Sequence, residues 1–271
     1  AVVARWAVRG AAYPGVVSDR RAPGWVPNQH GAWAMLASPL LVGALAAGLR
    51  PVHLLLGAFW FAGYFAFFAG SVWLKSGRRP RHLRPVQVYV ALAAVLGAAT
   101  LAASPGLLRW APAFAVPLGI GLWSSATRNE RALVSGLATT VGSAIMAVVA
   151  YDAGGGTSGL RAWTLAAVQA AYFAGTVFYV KSLIRERGSA TFLRASIGYH
   201  LAVVAVAAVA LVTRAQPTTG TGLSWLVVAV LALLAARAAA VPRLTPAPSP
   251  KQIGLGEVGA TVAVALSSLV A

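Results

Sequence analysis

Groups that could support chemistry are scarce in this chain, so each can be weighed individually. Its 271 residues include 5 acids and 4 histidines, namely Asp19, Glu130, Asp152, Glu186 and Glu257, with His30, His53, His82 and His200. Four clusters stand out. In PNQHGAWAML (Pro27–Leu36), Asn28, Gln29 and His30 lie between Trp25 and Trp33. Asn suits a helix N-cap and Trp an interfacial belt, but neither role needs His30, and Gly31 beside it permits close backbone approach. In WLKSGRRPRHLRP (Trp73–Pro85), Lys75, Arg78, Arg79, Arg81 and Arg84 stand with no acid among them. Such a run can hold a loop in the cytoplasm, or it can coordinate phosphate or carboxylate through Arg forks and Lys; Lys75 and Arg78 are the candidates for the second task. In FYVKSLIRERGSATFLRASIGYH (Phe178–His200), Lys181 and Arg185 repeat the basic pattern, and Tyr199 and His200 fall inside an apolar segment. In KQIGLGEVG (Lys251–Gly259), Glu257 opens the last apolar segment, where a helix dipole favours an acid. The sequence contains no Walker loop, zinc spacing, paired-carboxylate motif or serine nucleophile elbow, so no metal and no cofactor is expected.

The elements that must position these groups follow from composition. Hydrophobic residues make up 59% of the chain and charged residues 10%, and the mean hydropathy is +0.75. A soluble domain carries roughly 25% charged residues, so this chain could not cover its own surface with polar groups. Repeated apolar windows of about 18 residues predict an all-α polytopic transmembrane bundle. Nine spans are expected, near 31–49, 52–74, 86–104, 108–125, 132–151, 160–181, 195–213, 222–240 and 256–271. Pro112 and Pro117 predict a kinked or re-entrant fourth span. Residues 1–24 form a basic stretch expected to be a mobile cytoplasmic tail, and residues 25–271 a single transmembrane helical domain. The net charge of +17 would suggest nucleic acid in a soluble protein. Here the bases occupy short loops without aromatic interleaving, so no nucleic-acid partner is expected. Cysteine is absent, which removes disulfides and thiolate sites. The dominance of Arg over Lys, with abundant Ala, fits a GC-rich bacterial genome and hence a bacterial plasma membrane.

Orientation follows from the bases. With the N-terminus inside, 18 of the 22 Lys and Arg fall on one side, leaving Arg50, Arg109, Arg161 and Arg214 on the other. A cytoplasmic N-terminus is therefore expected. The strings AGSVWLKS (Ala69–Ser76) and AGTVFYVKS (Ala174–Ser182) match with one inserted residue. Their offset of four spans predicts a parallel four-plus-four repeat about an axis normal to the membrane, with Lys75 and Lys181 as paired positions.

At PNQHGAWAML, YVKSLIRER and KQIGLGE the chain resembles the YwiC-like family of bacterial integral membrane proteins over about residues 24–271, with QHGAW its most distinctive element. That resemblance implies a membrane protein and no particular activity. Nine spans with notable loops after the second and sixth also resemble the UbiA-type intramembrane prenyltransferases. That resemblance implies aspartate-rich loops that hold magnesium and an isoprenyl diphosphate. The chain departs there: LKSGRRPRHLRP and VKSLIRERGSATFLR offer Glu186 as the one acid, so a magnesium–diphosphate site is not expected.

The expected function is that of an integral membrane protein with a cytoplasmic-side cavity. Asn28, Gln29, His30, Lys75, Arg78, Lys181, Arg185, Tyr199, His200 and Glu257 are the candidates to line it, for an anionic or phosphate-bearing amphiphile drawn from the bilayer. A transferase without magnesium, a small-solute transporter using Ser143, Gln169 and Thr176, and a non-catalytic scaffold are the competing expectations.

Overall fold

A computed structural model describes residues 24–27, 30–129, 132–213 and 223–271. Most of the expected N-terminal tail and the candidates Asn28 and Gln29 lie outside the described residues. His30 opens the first helix, and its side chain is likewise outside them. Among the described residues there are nine α-helices and no strand: α1 (His30–Ala47), α2 (Val52–Lys75), α3 (Leu83–Ala103), α4 (Ala111–Ala126), α5 (Leu133–Ala153), α6 (Gly159–Ile184), α7 (Ala190–Val212), α8 (Trp225–Ala240) and α9 (Pro250–Leu269). Seven of them, α2, α3 and α5 to α9, are long and apolar enough to cross a membrane, some together with a flanking 3-10 turn. The chain is therefore a polytopic helical bundle, with α1 and α4 falling short of that length. A 3-10 turn over Pro105–Trp110 occupies the chain ahead of α4.

Helices form at the expected places because a segment surrounded by lipid must satisfy its own backbone groups. Three details differ from expectation. First, α7 begins at Ala190, before residue 195, because Ser189 accepts a hydrogen bond from the Phe192 N–H at 3.2 Å and starts the helix early. Second, α9 begins at Pro250 and not near 256. Ser249 and Gln252 form a reciprocal capping box, with the Gln252 N–H donating to Ser249 Oγ at 3.3 Å and the Ser249 N–H to Gln252 Oε1 at 2.8 Å. Third, α4 begins at Ala111 and not near 108, behind the 3-10 turn, and is one helix that includes both Pro112 and Pro117. Pro112 sits in the first turn, where no N–H donor is needed, and Pro117 packs against Gly142, where a Cβ would stand 3.0 Å from the proline ring.

The bundle is organised around α1 and α5, the equivalent members of the two expected repeats. Helix α1 packs on α5, α6 and α9, while α5 also receives α4 and α6. On one flank α2 packs on α3 and α4; on the other, α7 packs on α6 and α8. Helices α3 and α7 show most of their surface to the bilayer, and α5 and α6 show least.

The α1–α5 seam has a specific cause. Pro39 lies inside α1 and has no N–H, so the carbonyl four residues earlier, on Met35, loses its helical donor. Ser143 of α5 supplies one through its hydroxyl, and Trp60 Nε1–H of α2 donates to the neighbouring Leu36 carbonyl at 3.1 Å. One turn further along, Gly43 lies directly against the Ala147 backbone, so that any Cβ there would overlap the Ala147 carbonyl oxygen. Small residues that let two backbones touch are a common basis of association in lipid.

At the far end of the seam His53 accepts the Arg50 N–H at Nδ1 (2.9 Å) and donates from Nε2 to the Ala150 carbonyl (2.9 Å). That pairing fixes its tautomer and makes it a clasp between α2 and α5. Nearby, Asp152 accepts from Trp110 Nε1–H at 2.8 Å and pairs with Arg109.

Replacing Gly43 by Ala is expected to abolish the folded, monodisperse protein in detergent. Gly259→Ala, where a Cβ meets open space, should leave its melting temperature unchanged. Ser143→Ala should cost about 1 kcal/mol, read as a modest fall in melting temperature.

Candidate functional site

The inserted turns of α9 and α7 move two candidates deeper than the sequence suggested. Glu257 stands about two turns into α9 at 3.6 residues per turn, and is not a first-turn acid. His200 lies about three turns into α7, where one and a half were expected. Both are thus inside the bundle, where a charge is costly unless paired.

Glu257 is paired. Arg237, in the last turn of α8, places Nη1 at 2.7 Å from Glu257 Oε1, and the two side chains are only 19% and 13% exposed. Thr176 of α6 donates to Glu257 Oε2 at 2.8 Å. The Tyr172 hydroxyl, also on α6, lies 3.0 Å from the Glu257 carbonyl oxygen and 2.9 Å from Thr261 Oγ1. The Arg237 guanidinium is stacked over the Tyr179 ring, 4.2 Å from its centroid, an arrangement that favours a cation. Three helices therefore converge on one acid–base pair. Sequence alone counted Arg237, inside the expected span 222–240, only among the bases of the cytoplasmic side, because a base near a span end reads as a topology signal. Tyr172 and Tyr179 are concealed in an apolar run; their spacing from Thr176, four before and three after, is the signal that one helical face carries all three.

His200 joins this face from α7. Its Nδ1 donates to the Ser196 carbonyl at 2.8 Å, which leaves Nε2 as an acceptor in the neutral ring. Nε2 rests against Gly175, the neighbour of Thr176, where a Cβ would be 2.9 Å away. Tyr199 instead binds helix to helix, donating to the Ala171 carbonyl at 3.1 Å and stacking on Phe178 at 5.0 Å.

The loop candidates are placed differently. Lys75 ends α2, and its carbonyl accepts from Arg128 at 3.2 Å. Arg78 is exposed, in a left-handed conformation (φ 60°) just past Gly77. Lys181 lies in the last turn of α6 with Nζ 5.9 Å from the Phe192 ring centroid, and Arg185 caps that helix at the surface. Lys75 and Lys181 thus occupy corresponding helix ends, on α2 in one flank and α6 in the other. The echo extends to Ser71 and Thr176: Ser71 accepts from Ser125 of α4 at 3.0 Å, whereas Thr176 meets the charged pair.

A cavity of about 450 Å³ also exists, and none of the described candidates lines it. It lies among α1 to α5 and is almost wholly apolar. Among the described residues no three His, Cys, Asp or Glu side chains gather as a metal site would require.

An all-helical bundle with apolar helices of spanning length and a charge pair held inside it defines a multi-pass integral membrane protein. The chain belongs to the YwiC-like family: the family model described as YwiC-like protein matches residues 26–151. It is 32% identical to "Uncharacterized protein YwiC" of Bacillus subtilis (strain 168) over 177 residues, 65% of this chain and 74% of that one. An "Uncharacterized protein" of Haemophilus influenzae is 25% identical over 176 residues, with the same shares covered. No solved structure matches the chain, so the UbiA-type resemblance gains nothing from these comparisons.

Removing one partner of a buried ion pair strands the other, at about 3–5 kcal/mol. Arg237→Gln and Glu257→Gln should each lower the melting temperature more than the double variant does, and a double-mutant cycle reads the difference. Equal, additive losses would mean that the two side chains do not interact.

Proposed function

We propose that this protein binds an anionic or phosphate-bearing amphiphile from the cytoplasmic leaflet of the bacterial inner membrane, with Arg237 receiving the acidic head group. One observation carries the reading. Among the described residues Arg237 is held inside the bundle by one carboxylate, and its buried Nε has no hydrogen-bond partner. A guanidinium offers five donors in a fixed fork suited to phosphate and carboxylate. An arriving head group would share or displace Glu257, with the Thr176 and Tyr172 hydroxyls adjoining. The surrounding collar of bases, from Arg78 and Arg128 to Arg185 and Arg243, would raise the local concentration of anionic lipid at that face. A cytoplasmic N-terminus puts this collar and the pair on the inner leaflet, in keeping with the 18-to-4 distribution of bases. A helical bundle fits the inner membrane, where spans need not form a barrel. Solute transport has weaker support: Ser143 is committed to the Met35 carbonyl and Gln169 Oε1 accepts from Ser38 at 2.9 Å, and of these groups only the buried Gln169 Nε2 lacks a partner among the described residues.

Competition between ligand and Glu257 gives the test its sign. Purified protein should be stabilised against heat by farnesyl diphosphate or phosphatidic acid, with or without magnesium, and not by phosphatidylcholine. Glu257→Gln should tighten that binding several-fold, and Arg237→Gln should abolish it. Inorganic phosphate in place of the lipid separates a head-group site from one that also needs a tail. Stabilisation that survives Arg237→Gln would refute the reading. The orientation is checked with single cysteines, since the chain has none: a cysteine at Gly77 should react only with reagent admitted to the cytoplasmic side, and one at Ser158 only from outside.

A further inference from the structure

The α1–α5 cavity is a separate matter from the charged pair. Neither Arg237 nor Glu257 borders it, and among the described residues no Asp, Glu, Lys, Arg or His lines it. Its volume of about 450 Å³ falls in the range of about 300–1,000 Å³ typical of small-molecule sites. Six aromatic side chains line it, Phe59, Trp60, Tyr64 and Phe67 of α2, Trp110 of the 3-10 turn and Phe114 of α4.

The polar groups on its wall can be accounted for one by one. The Thr100 hydroxyl donates to the Leu96 carbonyl at 2.7 Å, and that of Thr139 to the Ser135 carbonyl at 2.9 Å. Ser143 is committed to Met35, Trp60 Nε1–H to Leu36 and Trp110 Nε1–H to Asp152. Tyr64 remains. Its hydroxyl is buried and has no partner among the described residues, a state that costs about 1–3 kcal/mol and that a plain acyl chain would not relieve. Gly63, the next residue on the wall, adds space, because a Cβ there would meet nothing within 4 Å. The wall as built therefore fits flat apolar surface with one hydrogen-bonding oxygen.

We infer that the cavity among α1–α5 is a second binding site, for an uncharged, flat aromatic or unsaturated lipophile whose single oxygen meets the Tyr64 hydroxyl. Ring faces and edges on the wall favour offset or edge-on contact with such a molecule. Its exclusion of charge separates it from the anionic site on α8 and α9. The two sites would give the protein one compartment for an acidic amphiphile and another for a neutral one.

Benzophenone serves as the probe, being an uncharged aromatic ketone that on illumination inserts into nearby C–H bonds. The full chain in liposomes is illuminated with it and the adducts are mapped by peptide mass spectrometry. Adducts are expected on cavity residues such as Met35 and Met146. Tyr64→Phe should reduce their yield several-fold by removing the hydroxyl alone. Gly63→Leu should abolish them by filling the space, and Ala32→Leu, on the opposite wall, provides a second filling variant should the first fail to fold. Both filling variants should retain the wild-type response to farnesyl diphosphate, so that failure here is distinguishable from failure of the anionic site. Adducts confined to the lipid-facing surfaces of α3 and α7, or undiminished in the folded filling variants, overturn the site. Labelling indifferent to Tyr64→Phe overturns the oxygen-bearing ligand and leaves a hydrocarbon as the occupant.

Discussion

The α1–α5 seam, on which the bundle is organised, is registered by one carbonyl that its own helix cannot satisfy. Pro39 withdraws the donor that the Met35 carbonyl would use, and the bilayer has no water to replace it. The hydroxyl of Ser143 replaces it, which fixes α5 against α1, and Gly43 against the Ala147 backbone keeps the two helices at contact distance. With those helices set, the remainder falls into two flanks. The placement of α2 and α4 around one side leaves an apolar hollow. The placement of α6, α8 and α9 around the other brings an acid and a base face to face.

The matching positions of the two similar strings make different contacts in the two flanks. In the first, Ser71 of α2 meets Ser125 of α4, a neutral contact at 3.0 Å. In the second, the corresponding Thr176 of α6 meets Glu257, which holds Arg237. A buried ion pair is a poor source of stability, since desolvating both charges offsets most of their attraction. That such a pair is nonetheless kept where Thr176 meets it, while Ser71 meets only Ser125, is what points to a task beyond packing. The Arg237 Nε that no protein group satisfies points the same way.

Much of this was legible in the sequence, and the reasons are physical. Apolar runs and Gly/Pro-rich connectors located all nine helices, because lipid leaves a spanning segment no alternative to the helix. Glu257 and His200 could be singled out because charge and imidazole are rare here. Their depth could not, since it depends on where α7 and α9 begin. The Ser249–Gln252 capping box was present in SPKQ, but polar and Gly-rich sequence after it resembled a loop. Arg237 was read only as a topology signal because a base near a helix end serves topology and chemistry alike. Tyr172, Tyr179 and the whole α1–α5 cavity were illegible for a different reason. Their meaning lies in which faces of several helices meet, and Gly63 or Thr139 in isolation reads as ordinary span sequence.

The central claim is that the two flanks hold two ligands of opposite character. Electron cryomicroscopy of the full chain in nanodiscs made with native lipid extract tests it most directly. The account predicts a head-group density within hydrogen-bond distance of Arg237 and a separate, flat density beside Tyr64. An Arg237 guanidinium engaged by Glu257 alone, together with an empty or collapsed space among α1–α5, would contradict it.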